Sequence, residues 1–225
     1  MRLHVFGSRA LVAMGATILA LAVLPVVQAK PDTSGAGARV AIGDSVMLGA
    51  KWNLLNRQDF TLVDAVVSRQ AATGPGLLRQ LGGALPTNVI VHLGTNGSYP
   101  LRTCKKLVKA AGPTRKVFLL TLKVPRLWEP VNNEMLRECD AAFQAERVHL
   151  VDWNWAASRH EEKWLYGDGV HLRPAGARAF ARIINAAIAK AYPPVTTSPP
   201  TPVQLVTSAS FAAPMVNMGA IQASL

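Results

Sequence analysis

The 225 residues are enough for one domain of ordinary size and too few for two large ones. Half of them are hydrophobic, which supplies a proper core. The net charge of +11 favours polyanionic partners, yet the basic residues look scattered apart from Lys105-Lys106 and Lys109, and no nucleic-acid motif occurs, so nucleic acid is not an expected partner.

In chain order, residues 1–29 come first and stand apart. Arg2 and Arg9 give a basic start, Ala10 to Leu24 is uncharged and apolar, and Val27-Gln28-Ala29 is a small-x-small signal before Lys30. This is the layout of a secretory signal peptide. The alternative is an uncleaved single-span anchor, for which the run is short and is ended by Pro25. Either way the rest of the chain is expected to be secreted or extracytoplasmic, with membrane contact only through an uncleaved leader. Loss of Arg2 and Arg9 with that leader takes the net charge from +11 to +9. Such a charge would hold an exported protein near anionic cell-wall polymers, lipid heads or acidic glycans.

Residues 30–38 read as a lead-in to a domain over 39–192. Arg39 to Ile42 is a short β-like run, and Ser45 to Leu55 a helix with apolar positions Val46, Leu48, Trp52 and Leu55. Thr61 to Val67 is a second strand and Pro75 to Leu81 a short helix. Asn88 to Leu93 is nearly all apolar, as a parallel strand buried on both faces should be. Leu101 to Ala111 is a basic amphipathic helix stopped by Gly112-Pro113. Lys116 to Leu122 is a fourth strand, Asn132 to Ala145 a helix with Met135 and Leu136 toward the core, and Val148 to Val151 a fifth strand. Pro174 to Ala191 is the last helix, its proline suited to the first turn. Residues 193–225, rich in Pro, Thr and Ser as far as Pro202, read as a flexible tail with no assigned role. The two cysteines, Cys104 and Cys139, are an even pair in an oxidising compartment, which suggests a disulfide closing a 35-residue loop. Two separate buried thiols are the other reading.

Strands alternate with helices throughout, which predicts a mainly parallel five-stranded sheet inside an α/β/α sandwich. Sheets of this kind hold ligands outside the carboxyl ends of their strands. Ser45, Ser68 and Asn96 follow the first three strands, and Asp152 with Trp153-Asn154-Trp155 follows the fifth. Asp168-Gly169-Val170-His171 lies in a glycine-containing loop before the last helix.

A serine hydroxyl needs a base to take its proton as it attacks. His171, with Asp168 three residues earlier to hold the ring tautomer, is the candidate base for Ser45. Asn96 offers a neutral amide donor for an oxyanion. Each of these has a plainer alternative: Gly43-Asp44-Ser45 as a helix cap, Gly94-Thr95-Asn96-Gly97 as an ordinary turn, and Asp-x-x-His as a surface loop. His92, inside a buried strand, reads as a satisfied core residue. His149 and Asp152 have ligand-like spacing without a third ligand, so no metal is expected.

Gly43-Asp44-Ser45-Val46, Gly94-Thr95-Asn96 and Asp168-x-x-His171 resemble, in order and spacing, three sequence blocks of the SGNH (GDSL-type) hydrolases. The resemblance covers about Arg39 to Tyr192. It implies a three-layer α/β/α fold, an acyl-enzyme mechanism without metal or cofactor, Ser45 as nucleophile, His171 as base, Asp168 as its partner and Asn96 as an oxyanion donor. It further implies an oxyanion hole of Ser45, Asn96 and the residue at position 68, where the family's glycine is replaced by Ser68; Gly74 and Gly76 are nearby alternatives. Val46 stands where many members carry Leu. The stretches 42–48 and 64–70 resemble the extracytoplasmic domains of bacterial peptidoglycan O-acetyltransferases. The expected activity is therefore an exported serine esterase or O-acyltransferase on acylated cell-wall glycan, acting as a monomer. Asp44, Thr95, Trp153 and Trp155 are candidate substrate-binding residues, with Trp128, Trp164 and Tyr166 as further sugar-stacking faces. A secreted lipase or lysophospholipase, and a non-catalytic wall-binding module, are the alternatives.

Overall fold

A computed structural model describes residues 37–56 and 60–193. The expected leader, most of the lead-in and the tail from residue 194 lie outside the described residues. Five strands, β1 (Arg39–Gly43), β2 (Phe60–Ala65), β3 (Asn88–His92), β4 (Lys116–Leu120) and β5 (Val148–Val151), pair in the order β2-β1-β3-β4-β5. Every neighbouring pair is parallel. Helices cover both faces, which is why β3 and β4 read as continuous apolar runs.

Alternate strand residues serve two separate cores. Ile90 and Phe118 join Met47, Leu54, Trp153 and Phe180 beneath α1 (Ser45–Leu55), α5 (Trp153–Ser158), α6 (Glu161–Trp164) and α7 (Pro174–Ala191). Val89, Val91 and Leu119 join Leu78, Leu107 and Leu136 beneath α2 (Gly74–Leu81), α3 (Leu101–Ala110) and α4 (Trp128–Ala141). The expected three-layer α/β/α architecture is present. Cys104 on α3 and Cys139 on α4, both buried in the second core, form a disulfide with Cα atoms 6.2 Å apart.

Several expectations are corrected. In α1 the buried positions are Val46, Met47, Ala50 and Leu54, while Trp52 is 73% exposed. The helix rests on the sheet one residue round from the predicted stripe. The second strand stops at Ala65, because Val66 begins a turn closed by the Arg69 N–H on the Val66 carbonyl. The fourth strand ends at Leu120, and α4 starts at Trp128 instead of Asn132, its entry held by the Glu129 carboxylate accepting from the Val124 N–H. Met135 on α4 is only half-buried. The short α5 and α6 were not expected. At α7, Gly176 lies directly on the Trp164 carbonyl, which any Cβ would strike.

From β1 the chain goes to β2 on one side and then to β3 on the other. The loops after β1 and β3 therefore part around a crevice at the carboxyl edge, the topological switch point of an open α/β sheet.

Candidate active site

Ser45 is the first residue of α1, capped by Asp44. The Asp44 carboxylate, fully buried, accepts from the Val46 N–H (3.1 Å) and the Thr95 N–H (3.3 Å) and meets His92 Nδ1 at 3.3 Å. Asp44 thus ties β1, α1, β3 and the loop after β3 together. Burial pushes its carboxyl upward, but the His92 ring beside it and the hydrogen bonds from His92, Thr95 and Val46 outweigh that and hold it below the usual carboxylate range. His92 is buried on the other side against the edge of Phe180. Asp44 is consequently corrected from substrate-binding to positioning: no substrate reaches a buried carboxylate with these partners.

The loop from Tyr166 to Arg173 brings the other two groups. It closes through a Leu165–Leu172 bridge and the Tyr166 N–H donating to the His171 carbonyl (2.8 Å). Asp168 Oδ1 accepts from the N–H groups of Val170 (2.9 Å) and His171 (3.0 Å), and Oδ2 meets His171 Nδ1 at 2.6 Å. His171 Nε2 lies 3.1 Å from Ser45 Oγ. Burial is the largest single influence on the Asp168 carboxyl and raises it, but the His171 ring bond, the two backbone donors and the charge of the His171 ring together prevail and keep it below the usual range. Both side chains are about half exposed, 50% for His171 and 48% for Asp168, so substrate has access from solvent. A hydroxyl in this position can pass its proton to Nε2 as it attacks a carbonyl carbon.

Asn96 Nδ2 donates to the Arg69 carbonyl at 3.3 Å, and Gln70 Nε2 donates to the Asn96 carbonyl at 3.1 Å. Asn96 thus links the β3 loop to the β2 loop, where Ser68 has φ 58°. Among the described residues no other non-glycine residue has a positive φ. Ser68 holds the left-handed conformation that a glycine would take without strain. Gly74, the alternative donor, is instead a packing residue in α2 against Leu107 and Leu93, and Gly76 lies within the same helix. Ser45, at the first position of α1, has no carbonyl four residues back to occupy its N–H.

Ser45, Thr95, Asn96, Asp168 and His171 line one cleft of about 580 Å³ together with Val124, Pro125, Arg126, Trp128 and Val170.

No protein-family model matches the chain. It is 36% identical over 161 residues to YrhL of Bacillus subtilis, whose name carries peptidoglycan O-acetyltransferase as a provisional assignment; that match covers 70% of this chain and 24% of the relative. It is 32% identical over 146 residues to the O-acetyltransferase OatA of Staphylococcus aureus, covering 64% of this chain and 24% of the relative. The chain thus spans about a quarter of the length of the curated relatives it matches. The C-terminal catalytic domain of Streptococcus pneumoniae peptidoglycan O-acetyltransferase A, solved with a methylsulfonyl adduct, has the same fold, with a TM-score of 0.61 at 24% identity over 70% of this chain and 96% of that one. This chain has the α/β fold of the SGNH (GDSL-type) hydrolases and is similar in sequence to the peptidoglycan O-acetyltransferases over the stretch it shares with them.

The aromatic side chains of this SGNH domain differ from expectation. Trp153 is fully buried, stacked on Trp164 (5.9 Å) and edge-on to Phe180 (5.0 Å), and is core rather than substrate-binding. Trp155 is exposed but lies under the Arg159 guanidinium, 3.8 Å from the ring centroid, and is not among the residues lining the cleft. Trp164 is also buried, and Tyr166 packs under Arg173. The aromatic wall of the SGNH cleft is Trp128, whose Nε1 donates to the Thr95 carbonyl at 3.3 Å. Asp152 and Asn154 brace the β4–β5 end: Asp152 accepts from Thr121 Oγ1 (2.8 Å), and Asn154 Nδ2 donates to the Leu122 carbonyl and to Glu129.

Three residues that sequence reasoning passed over shape the site. Arg69 reaches the Gly43 carbonyl (3.3 Å), the Asp64 carbonyl (2.6 Å) and the Asp64 carboxylate (2.7 Å), pinning the ends of β1 and β2. Asn132 Nδ2 donates to the carbonyls of Gly94 (3.1 Å) and Gly97 (2.8 Å) while its Oδ1 accepts from the Tyr99 N–H (2.8 Å). Asn133 does the same for both backbone groups of Leu122. Two consecutive asparagines inside an otherwise amphipathic helix were the available signal, since buried amides are retained where they satisfy backbone groups.

Proposed function

We propose that this chain is an exported serine esterase or O-acyltransferase acting on acetyl esters of cell-wall glycan. The Ser45–His171–Asp168 relay, with 3.1 Å and 2.6 Å links at the mouth of an open cleft, is the observation that carries the reading. Ser45 Oγ attacks the acyl carbonyl carbon as His171 Nε2 takes the hydroxyl proton. The oxyanion accepts from the Ser45 N–H, the free N–H of the Asn96 amide and the Ser68 N–H. Collapse breaks the ester C–O bond, and His171 returns its proton to the departing alcohol. Water or a sugar hydroxyl, deprotonated by His171, then attacks the acyl-Ser45 ester, and the acyl–Oγ bond breaks as His171 returns that proton to Ser45 Oγ. Asp168 stays ionised throughout and stabilises the imidazolium. Export rests on the leader at 1–29, and the half-exposed site suits a polymeric substrate that is not engulfed.

The test uses the full chain and a p-nitrophenyl acyl series from acetate to palmitate, beside Ser45→Ala. Preference for acetate supports this reading; preference for palmitate supports a lipase. Absence of turnover and of fluorophosphonate labelling at Ser45 leaves only a non-catalytic wall-binding module. Transfer of acetyl to a chitooligosaccharide separates acyltransferase from esterase.

A further inference from the structure

The charge is concentrated rather than scattered. Between Asp64 and Glu129 lie ten basic residues and no acidic one. Of the chain's 24 basic and 13 acidic residues this leaves 14 and 13 elsewhere, so one stretch supplies ten of the net +11. Several of the ten are tied into the fold: Arg69 by Asp64, Arg115 by the Leu85 and Ala111 carbonyls, Lys116 by the Glu146 carbonyl and Lys123 by Glu161. Arg126 belongs to the cleft already described.

Four others converge. Arg79 on α2 and Arg102, Lys106 and Lys109 on α3 are exposed and line a single groove of about 720 Å³ between the two helices. Positions 102, 106 and 109 share one face of α3, so like charges stack there, and neither helix carries an acid to offset them. The opposite face of α3 is fastened by buried Leu107 and Val108 and by the Cys104 disulfide, so the helix cannot turn to relieve the repulsion. Seven residues of helix span about 10 Å, too long for one phosphate and suited to several in succession. Both helices follow parallel strands and so start at the carboxyl edge. The groove therefore begins beside the candidate site, where Gln70 bonds Asn96, and runs away from it.

We propose that the α2–α3 groove binds a linear phosphodiester polyanion of the cell envelope. No aromatic side chain lines it, so bases have nothing to stack on. None of the exposed large hydrophobic residues among the described ones sits on α2 or α3, so a lipid surface has nothing to anchor. The inference is independent of ester turnover, because its readout is binding.

The experiment measures anisotropy of fluorescent poly(glycerol phosphate) with the full chain. Oligo-dT and vesicles of equal parts phosphatidylcholine and phosphatidylglycerol are the competing probes. Four phosphate contacts predict a log–log salt slope of about −3, or roughly 50-fold weaker binding at 200 mM than at 50 mM salt. Arg79→Gln/Arg102→Gln/Lys106→Gln/Lys109→Gln should lose at least tenfold in affinity and most of the slope. Arg102→Gln/Lys106→Gln should lose about half the slope. Lys163→Gln/Arg178→Gln/Arg182→Gln/Lys190→Gln, with the same loss of charge, should stay within about threefold. An unchanged melting temperature shows that each variant is folded. No binding to the polymer, equal loss in both quadruple variants, or tighter binding to oligo-dT or to the vesicles would each overturn the proposal.

Discussion

Asn96 has two amide hydrogens, and one is already used. Its Nδ2 reaches the Arg69 carbonyl, which fixes which way the amide points and leaves the second N–H for an oxyanion. Asn96→Ala should therefore lower kcat for p-nitrophenyl acetate by about 10²–10³ with little change in KM. An unchanged kcat would remove Asn96 from the proposed mechanism. Ser68 shows a different economy: its φ of 58° costs a residue with a Cβ about 1 kcal/mol that glycine avoids. Ser68→Gly should raise the unfolding free energy by about that amount, read from urea unfolding, and keep turnover, since only the backbone N–H is asked to act. Ser68→Val, branched at Cβ, should lower both.

Where elements meet, Asp44 and the disulfide are the ties that join them. Asp44 joins the ends of β1 and β3 to the start of α1. Its carboxyl titrates lower in the folded chain than in the unfolded one. Its contribution is thus complete above the unfolded value, near 4, and is lost as pH falls through the lowered folded value. Asp44→Asn should cost about 2 kcal/mol at pH 7, because an amide cannot accept from all three partners. Urea unfolding at successive pH values should show the gap to wild type closing below pH 4; a gap independent of pH would mean the charge contributes nothing. The Cys104–Cys139 bridge closes a 35-residue separation, and reducing it should remove roughly 4 kcal/mol, read as a lower urea midpoint. Its effect should extend to the site's loops, because α4 also carries Asn132, which holds Gly94 and Gly97.

At the scale of the whole molecule, the strand–helix alternation was legible because β3 and β4 are apolar runs that only a doubly covered parallel sheet explains. The positions of Ser45 and Asn96 followed from strand ends, and those of Asp168 and His171 from the glycine-containing loop before the last helix. What escaped depends on neighbours far along the chain. Six residues of α5 are too few for a period to show that Trp153 turns inward onto Phe180 and Trp155 outward under Arg159. Arg69 reaches backbone carbonyls, which leave no mark in side-chain patterning, and the Asn132-Asn133 pair signals buried amides without showing which carbonyls they hold. Trp153→Ala should cost about 3–5 kcal/mol, and Trp155→Ala less than about 0.5, in thermal or urea unfolding. Equal costs would place both rings in the same environment. At Gly176 packing bears on turnover. The Trp164 carbonyl on which it rests also accepts from the Arg173 N–H, and between those two residues hangs the whole loop that presents Asp168 and His171. A single methyl group added at Gly176 would act as a wedge at the loop's hinge, and would be felt as misaligned proton transfer in a residue that never meets the substrate.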